Sequence, residues 1–126
     1  KEQTERIIKA MQNRHVDIIF HPTGRVLNQR PPYELDMEEI IKMAKTTGTV
    51  LEIDAYPDRL DLRDEYIRMC VEAEVKMCID SDGHSKTHFS VLEYGIAQAR
   101  RGWAEKKDII NAWPVEKMLS FLKDKQ

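Results

Sequence analysis

Val75-Lys76-Met77-Cys78-Ile79-Asp80-Ser81-Asp82-Gly83-His84-Ser85 is the stretch on which the fold turns. Its first five residues are an apolar run of strand length, and the run stops in acids, glycine and histidine. At the carboxyl end of a parallel strand, two side chains separated by one residue point the same way, so Asp82 and His84 are placed to face one metal ion. The pattern recurs upstream. Val16-Asp17-Ile18-Ile19-Phe20 runs into His21-Pro22-Thr23-Gly24-Arg25, and His21 also stands where an apolar run ends. Between the two lies a third strand, Thr49-Val50-Leu51-Glu52-Ile53, closed by Asp54-Ala55-Tyr56-Pro57 as a turn.

Helical periodicity fills the intervals. Thr4, Ile7, Ile8 and Met11 share one face of an opening helix. Asp36 and Glu39 form a capping-box pair before the stripe Met37, Ile40, Ile41 and Ala44, and Gly48 ends that helix. Asp61 is expected to cap a helix with Leu62, Tyr66, Met69, Cys70 and Ala73 inside. Phe89, Leu92, Ile96 and Ala99 mark another helix, a short helical turn follows over 105–110, and Pro114 opens a last helix with Val115, Met118, Leu119 and Leu122 behind it. Strands alternating with helices of this length imply right-handed crossovers and a parallel sheet, hence an α/β chain built of parallel βα units. There is no internal repeat and no Gly/Ser linker, so residues 1–126 are expected to carry no domain boundary.

Composition narrows the function. With 126 residues and 41% hydrophobic residues the chain can pack a core, and a formal charge of -2 provides no global positive field for nucleic acid. Any nucleic-acid contact must be local. Cys70 and Cys78 lie in apolar stretches without metal-type spacing, as buried thiols in a reducing cytoplasm do. No signal peptide and no apolar run near the roughly 18 residues that span a bilayer is visible, which predicts a soluble protein without membrane contact. Because Lys1 already stands inside a helix pattern, the sequence reads as a piece of something longer.

His21-Pro22-Thr23-Gly24-Arg25, the run from Leu51 to Leu62, Asp80-Ser81-Asp82-Gly83-His84-Ser85 and Ala99-Arg100-Arg101-Gly102-Trp103 together resemble the C-terminal part of the polymerase-and-histidinol-phosphatase (PHP) domain, in the version found in prokaryotic family X DNA polymerases. Asn111-Ala112-Trp113-Pro114 also resembles the end of those polymerases. The resemblance implies the C-terminal half of a distorted seven-stranded, TIM-like βα barrel, whose carboxyl rim holds up to three divalent ions. It implies phosphoester hydrolysis, with 3′-5′ exonuclease and 3′-end or abasic-site processing in DNA repair. Matched motif to motif, His21, Asp82 and His84 correspond to metal ligands. The family's opening His-x-His motif, an acidic ligand and its middle histidines have no counterpart in this sequence, so the isolated piece is expected to be inactive. Asp54 stands where the family more often has Asn, and Gly83 where it often has Ala.

Two imidazoles and one carboxylate suit Mn or Zn better than Mg or Ca. Arg25 is a candidate for a bidentate phosphate contact, with structural pairing as the competing reading; Arg100 and Arg101 are candidates for a DNA-backbone contact. Asp82 as a helix cap, and His84 and His21 as ordinary loop residues, are the bland alternatives. Glu52 and Asp54 read as acids that support the ligands or cap helices rather than as ligands. His88 reads as an exposed histidine at a helix start, His15 as surface, the methionines as core filler, and Trp103 and Trp113 as packing for the C-terminal helices. DNA would be engaged through the full-length polymerase. The missing half of the barrel is the expected neighbour, and a cut edge formed by residues 16–20 with Ile7, Ile8 and Met11 is expected to promote self-association. A non-catalytic module of the polymerase, or a stand-alone enzyme of the histidinol-phosphatase type, is the alternative.

Overall fold

The computed structural model describes residues 1–123. Three parallel strands lie in the order β1 (Ile18–Ile19), β2 (Val50–Asp54), β3 (Met77–Asp80). Helix α1 (Glu2–Met11) precedes β1, and α2 (Met37–Thr47) and α3 (Asp64–Ala73) cross between successive strands. After β3 a 3₁₀ segment (Lys86–Val91) leads into α4 (Leu92–Arg101), and two short 3₁₀ turns precede α5 (Val115–Lys123). The α/β class and the parallel sheet are therefore as the sequence predicts. No helix among the described residues is long and apolar enough to cross a membrane.

Every residue of β2 is buried, because the sheet is covered on both faces. On one face Leu51, Ile53 and Met77 pack with Met11 of α1, Ile40 and Ala44 of α2, and Ile67 and Cys70 of α3. On the other, Val50 and Cys78 meet Ile18, Ile110, Trp113, Met118, Phe121 and Leu122. Side chains alternate along a strand, so Glu52 and Asp54 continue the row begun by Val50, and register places Asp54 beside Asp80. This second face is thus apolar toward the strands' amino ends and anionic toward their carboxyl ends.

Several expectations need correction. β1 has two paired residues where five were expected, since only Ile18 and Ile19 are in register with Val50 and Leu51. Asp36 does accept from the Glu39 N–H at 3.0 Å, but its own N–H goes to Thr4 Oγ1 at 3.0 Å, which ties α2 to α1. Helix α1 therefore spends its apolar face on α2, and Met11 is fully buried rather than part of an open edge. Asp61 caps no helix: Arg63 holds the N-cap position of α3, and the buried Asp61 carboxylate serves a loop described below. Phe89 and Ile96 are exposed, because α4 packs through Gly95 and Ala99 instead. A Cβ at Gly95 would stand 2.7 Å from carbons of Ala55 and Ile79, so only glycine permits that approach. Helix α5 uses Met118, Phe121 and Leu122, leaving Val115 and Leu119 exposed. Trp113 packs edge-on against Phe121, but Trp103 is exposed and lies under the Arg68 guanidinium at 3.8 Å. Both thiols are buried and free, and burial alone pushes Cys70 up to about 12, so it is inert near neutrality.

The outer side of β3 is closed by its own chain. Met77 bridges to Ile109, and the Asn111 side chain accepts from the Ile79 N–H at 3.1 Å and donates to the Ile79 carbonyl at 2.6 Å.

Candidate functional site

The loop after β1 is fixed by long-range contacts. Asp61 accepts from the Thr23 and Gly24 N–H groups at 3.0 Å each, from inside the protein. Arg25 reaches the same segment from the other direction, donating from Nε to the Arg59 carbonyl at 2.9 Å and from Nη2 to the Leu60 carbonyl. The Glu52 carboxylate accepts the His21 N–H. Residues 21–25 and 59–61 are thereby clasped together, with Gly24 at a positive φ of 64° packed under the Tyr33 ring. His21 itself is exposed, and its φ of 31° lies in the left-handed region.

The loop after β3 is held by its own residues. Asp80 Oδ1 accepts from the Asp82 N–H at 3.1 Å, the His84 ring Nδ1 lies 2.7 Å from the Asp82 carbonyl, and the His84 N–H donates to His88 Nδ1 at 2.9 Å. His88 is consequently a partner of His84, half-buried against Tyr56 at 5.3 Å between rings, and not the free surface histidine expected. Receiving a hydrogen bond at Nδ1 requires that nitrogen of His88 to carry no proton. The Nδ1 contact of His84 leaves its Nε2 as the nitrogen for a ligand. Asp82, like His21, has a positive φ, here 50°. Residues in this region cluster at functional sites, because the surrounding structure must stabilise the strain.

Between the loops stand four carboxylates. Glu52 and Asp54 at the end of β2 are buried, and Asp80 and Asp82 follow from β3. Burial pushes Glu52 up to about 10, helped by its hydrogen bond to Asp80 and by the charges of Asp80 and Asp54, against the His21 N–H that favours the anion. Burial also pushes Asp54 up to about 7, with Asp82 and Asp80 adding to the rise and the Tyr56 N–H and Arg59 opposing it. Arg59 is the cation in contact: its Nε lies 3.7 Å from Asp54 Oδ2 and 3.6 Å from Asp82 Oδ2. Asp54 Oδ2, on a fully buried residue, accepts no hydrogen bond.

Tested against a divalent ion, the donors fit in kind: carboxylates crowded enough to retain protons, one buried oxygen without a donor, and imidazoles at both strand ends. They do not form a closed centre. Among the described residues no three His, Cys, Asp or Glu side chains come together in a group that could hold a metal. The structure does set the two strand ends that carry His21, Asp82 and His84 around one row of acids. Of the expected phosphate contacts, Arg25 has two donors committed to carbonyls, Arg101 pairs with Asp64 at 3.5 Å, and Arg100 is exposed on α4. Glu52 supports the main chain at His21, in keeping with its reading as a supporting acid. Glu52-x-Asp54 and Asp80-x-Asp82 each carry an acid at every second residue, and the register of β2 with β3 brings the two pairs side by side.

No family model matches the sequence. The chain is 40% identical, over 94% of its length, to "DNA polymerase/3'-5' exonuclease PolX" of Bacillus subtilis (strain 168), and covers 21% of that protein. It is 29% identical over 67% of its length to a "Probable phosphatase" of Acetivibrio thermocellus, covering 34% of it, and 26% identical over 99% of its length to a "Probable phosphatase" of Clostridium novyi (strain NT), covering 51%. The chain thus spans between a fifth and half of the length of these relatives. The match to the polymerase falls in its C-terminal region, as the sequence resemblance implies.

Proposed function

We propose, on the premise that this chain corresponds to the C-terminal part of the PHP domain of a family X polymerase, that it supplies the carboxyl-rim half of a metal-dependent phosphoesterase site acting on DNA 3′ ends in repair. Residues 1–123 would then be the later βα units of a larger barrel, with the outer side of β1 facing the remainder. The observation that carries the reading is the row Glu52, Asp54, Asp80 and Asp82 between two loops that present His21 and His84. Four acids with one guanidinium among them favour a multivalent cation.

His21, Asp82 and His84 would hold Mn or Zn, completed by residues from outside this chain. The ion, when bound, acidifies a water and polarises the phosphate. The residues in hand do the positioning. Glu52 fixes the main chain at His21, and Asp80 fixes the main chain at Asp82. His88 fixes His84, so each candidate ligand is oriented by a partner that is not itself a ligand.

The test is metal content and 3′-5′ exonuclease activity of the full-length protein beside the 126-residue chain. Full-length protein should take up Mn or Zn and degrade a 3′-recessed duplex, Asp82→Ala and His84→Ala should lose both, and the short chain should show at most a trace of turnover. Equal turnover by the short chain would refute the division of the site. One observation favours a second reading: no three ligand-type residues converge among the described residues. In that reading the segment is a non-catalytic packing module, and full-length protein would hydrolyse nothing and hold no metal through Asp82 or His84.

A further inference from the structure

Arg59 stands between two carboxylates and its Nε is hydrogen-bonded to neither. That nitrogen lies 3.6 Å from Asp82 Oδ2 and 3.7 Å from Asp54 Oδ2, so the cation is shared rather than paired. The Asp82 side chain is 33% exposed, that of Arg59 21% and that of Asp54 not at all, so the three charges run from solvent inward. Asp54 is anchored through Oδ1, which accepts the Tyr56 N–H at 2.9 Å, while its Oδ2 accepts no hydrogen bond. Arg59 Nη1 is likewise buried without a partner. On the inner side an acceptor and a donor of opposite charge are therefore both unsatisfied, in surroundings where that is costly. The main chain at Arg59 is fixed, because its N–H donates to the Tyr56 carbonyl at 2.9 Å and its carbonyl accepts from Arg25 Nε at 2.9 Å. The side chain is the part that can adjust, and a shift under about 1 Å brings Nε into hydrogen-bond range of either acid.

We propose that Arg59 is a displaceable counter-cation of this site: a divalent ion that takes Asp82 competes with the guanidinium, which then closes onto Asp54. The inference rests on the phosphoesterase reading above, which puts an ion on Asp82, and adds to it the internal charge that the ion must move. A guanidinium left beside Asp82 repels the ion, and like charges a few ångströms apart weaken binding strongly. Asp54 relieves that repulsion by offering an inner partner, so no buried charge is left unpaired when Asp82 is taken. Asp54 is in this sense a positioning residue for Arg59 rather than a ligand.

The experiment uses the full-length protein above the value of about 7 to which burial pushes Asp54, and reads free Mn by electron paramagnetic resonance. Arg59→Met removes the competitor and should tighten Mn about tenfold, whereas Asp54→Asn leaves Arg59 no partner but Asp82 and should weaken Mn about fivefold. In the Arg59→Met background Asp54→Asn should change Mn affinity less than about twofold, because there is no arginine to redirect. The sign is what discriminates: an arginine that only braces Asp82 would weaken Mn binding when removed. Unchanged or weaker Mn binding in Arg59→Met therefore overturns the proposal. So does a loss on Asp54→Asn that is equal in both backgrounds, which would mean that Asp54 attracts the ion directly. If these variants do not fold, the parent decides: with isotope-labelled arginine and Zn as the diamagnetic ion, the Arg59 Nε–H resonance, identified by its loss in Arg59→Lys, should move as Zn is added. A resonance that stays in place to saturation overturns the proposal. If the parent takes up no Mn, the phosphoesterase reading fails, and uptake by Arg59→Met alone would leave this inference standing by itself; uptake by neither would overturn both.

Discussion

The loop after β1 and the loop after β3 each deliver histidine to the same rim, yet they are built on different principles. In the first, Thr23, Gly24 and Arg25 are bonded to residues more than thirty positions away, and the acceptor Asp61 is fully buried. In the second, the hydrogen bonds of Asp82 and His84 go to Asp80, to each other and to His88, all within four residues, while Arg59 stands as a charge 3.6 Å from Asp82 Oδ2 and His84 is exposed. The hydrogen bonds of one loop come from the fold at large and those of the other from its own neighbours. A site assembled this way has one rigid wall and one wall whose shape is local, so substitutions should separate stability from binding.

Among single substitutions the largest effect is expected from Asp61→Ala. It leaves the Thr23 N–H without its acceptor and the Gly24 N–H with the His21 carbonyl at 2.9 Å alone, and should cost about 2–3 kcal/mol, a fall in melting temperature of about 10 °C. A melting curve within a degree or two of the parent would show that the clasp does not hold the first loop. The pH dependence is of comparable size and comes from the buried acids. Asp54 has a folded-state pKa raised to about 7 from 3.8, so the folded chain retains a proton that the unfolded chain has lost. Between those values stability falls as pH rises, with a slope up to about 1.4 kcal/mol per unit. Glu52, raised to about 10 from 4.5, adds a fall of the same sign above pH 4.5. Denaturant melts of the metal-free chain at pH 4, 5.5 and 7 should show both, and Asp54→Asn should make the curve shallower and leave the part due to Glu52. Constant stability over that range would mean that neither carboxyl keeps its proton in the folded chain.

Smaller still is His88→Ala, which removes the acceptor of the His84 N–H at a half-exposed position and should cost about 1 kcal/mol or less. Hydrogen exchange sharpens the contrast: Thr23 and Gly24 amides should be protected, and those of Asp82 and His84 should exchange early. The smallest stability effect belongs to His84→Ala, about 0.5 kcal/mol or less for an exposed side chain, read in the same melts.

Elements with periodic patterns were legible in the sequence. The stripe Met37, Ile40, Ile41 and Ala44 is buried, Gly48 ends α2 at φ 70°, and the parallel pairing of the strands follows from their alternation with helices. Patterns failed where a small residue does the packing. A hydrophobic count favours Phe89 and Ile96 over Gly95, although the glycine is what lets α4 touch the sheet. Asp61 failed for a related reason: an acid before a helix is ordinarily a cap, and nothing local reveals that its carboxylate is wanted 37 and 38 residues upstream. The acids of the rim were visible as residues but not as a row, because their proximity depends on the register of β2 with β3.

The Asn111 contact has a consequence for how the sheet is put together. Its amide imitates one rung of a β-ladder, offering Ile79 both the acceptor and the donor that a fourth strand would. With Ile109 already bridged to Met77, the β3 margin is terminated in the way a stopper ends a growing polymer. Added strands can join only beside β1, so lateral growth has a direction. Asn111→Asp would keep the shape of the stopper but remove its donor, and would turn a closed margin into a sticky one.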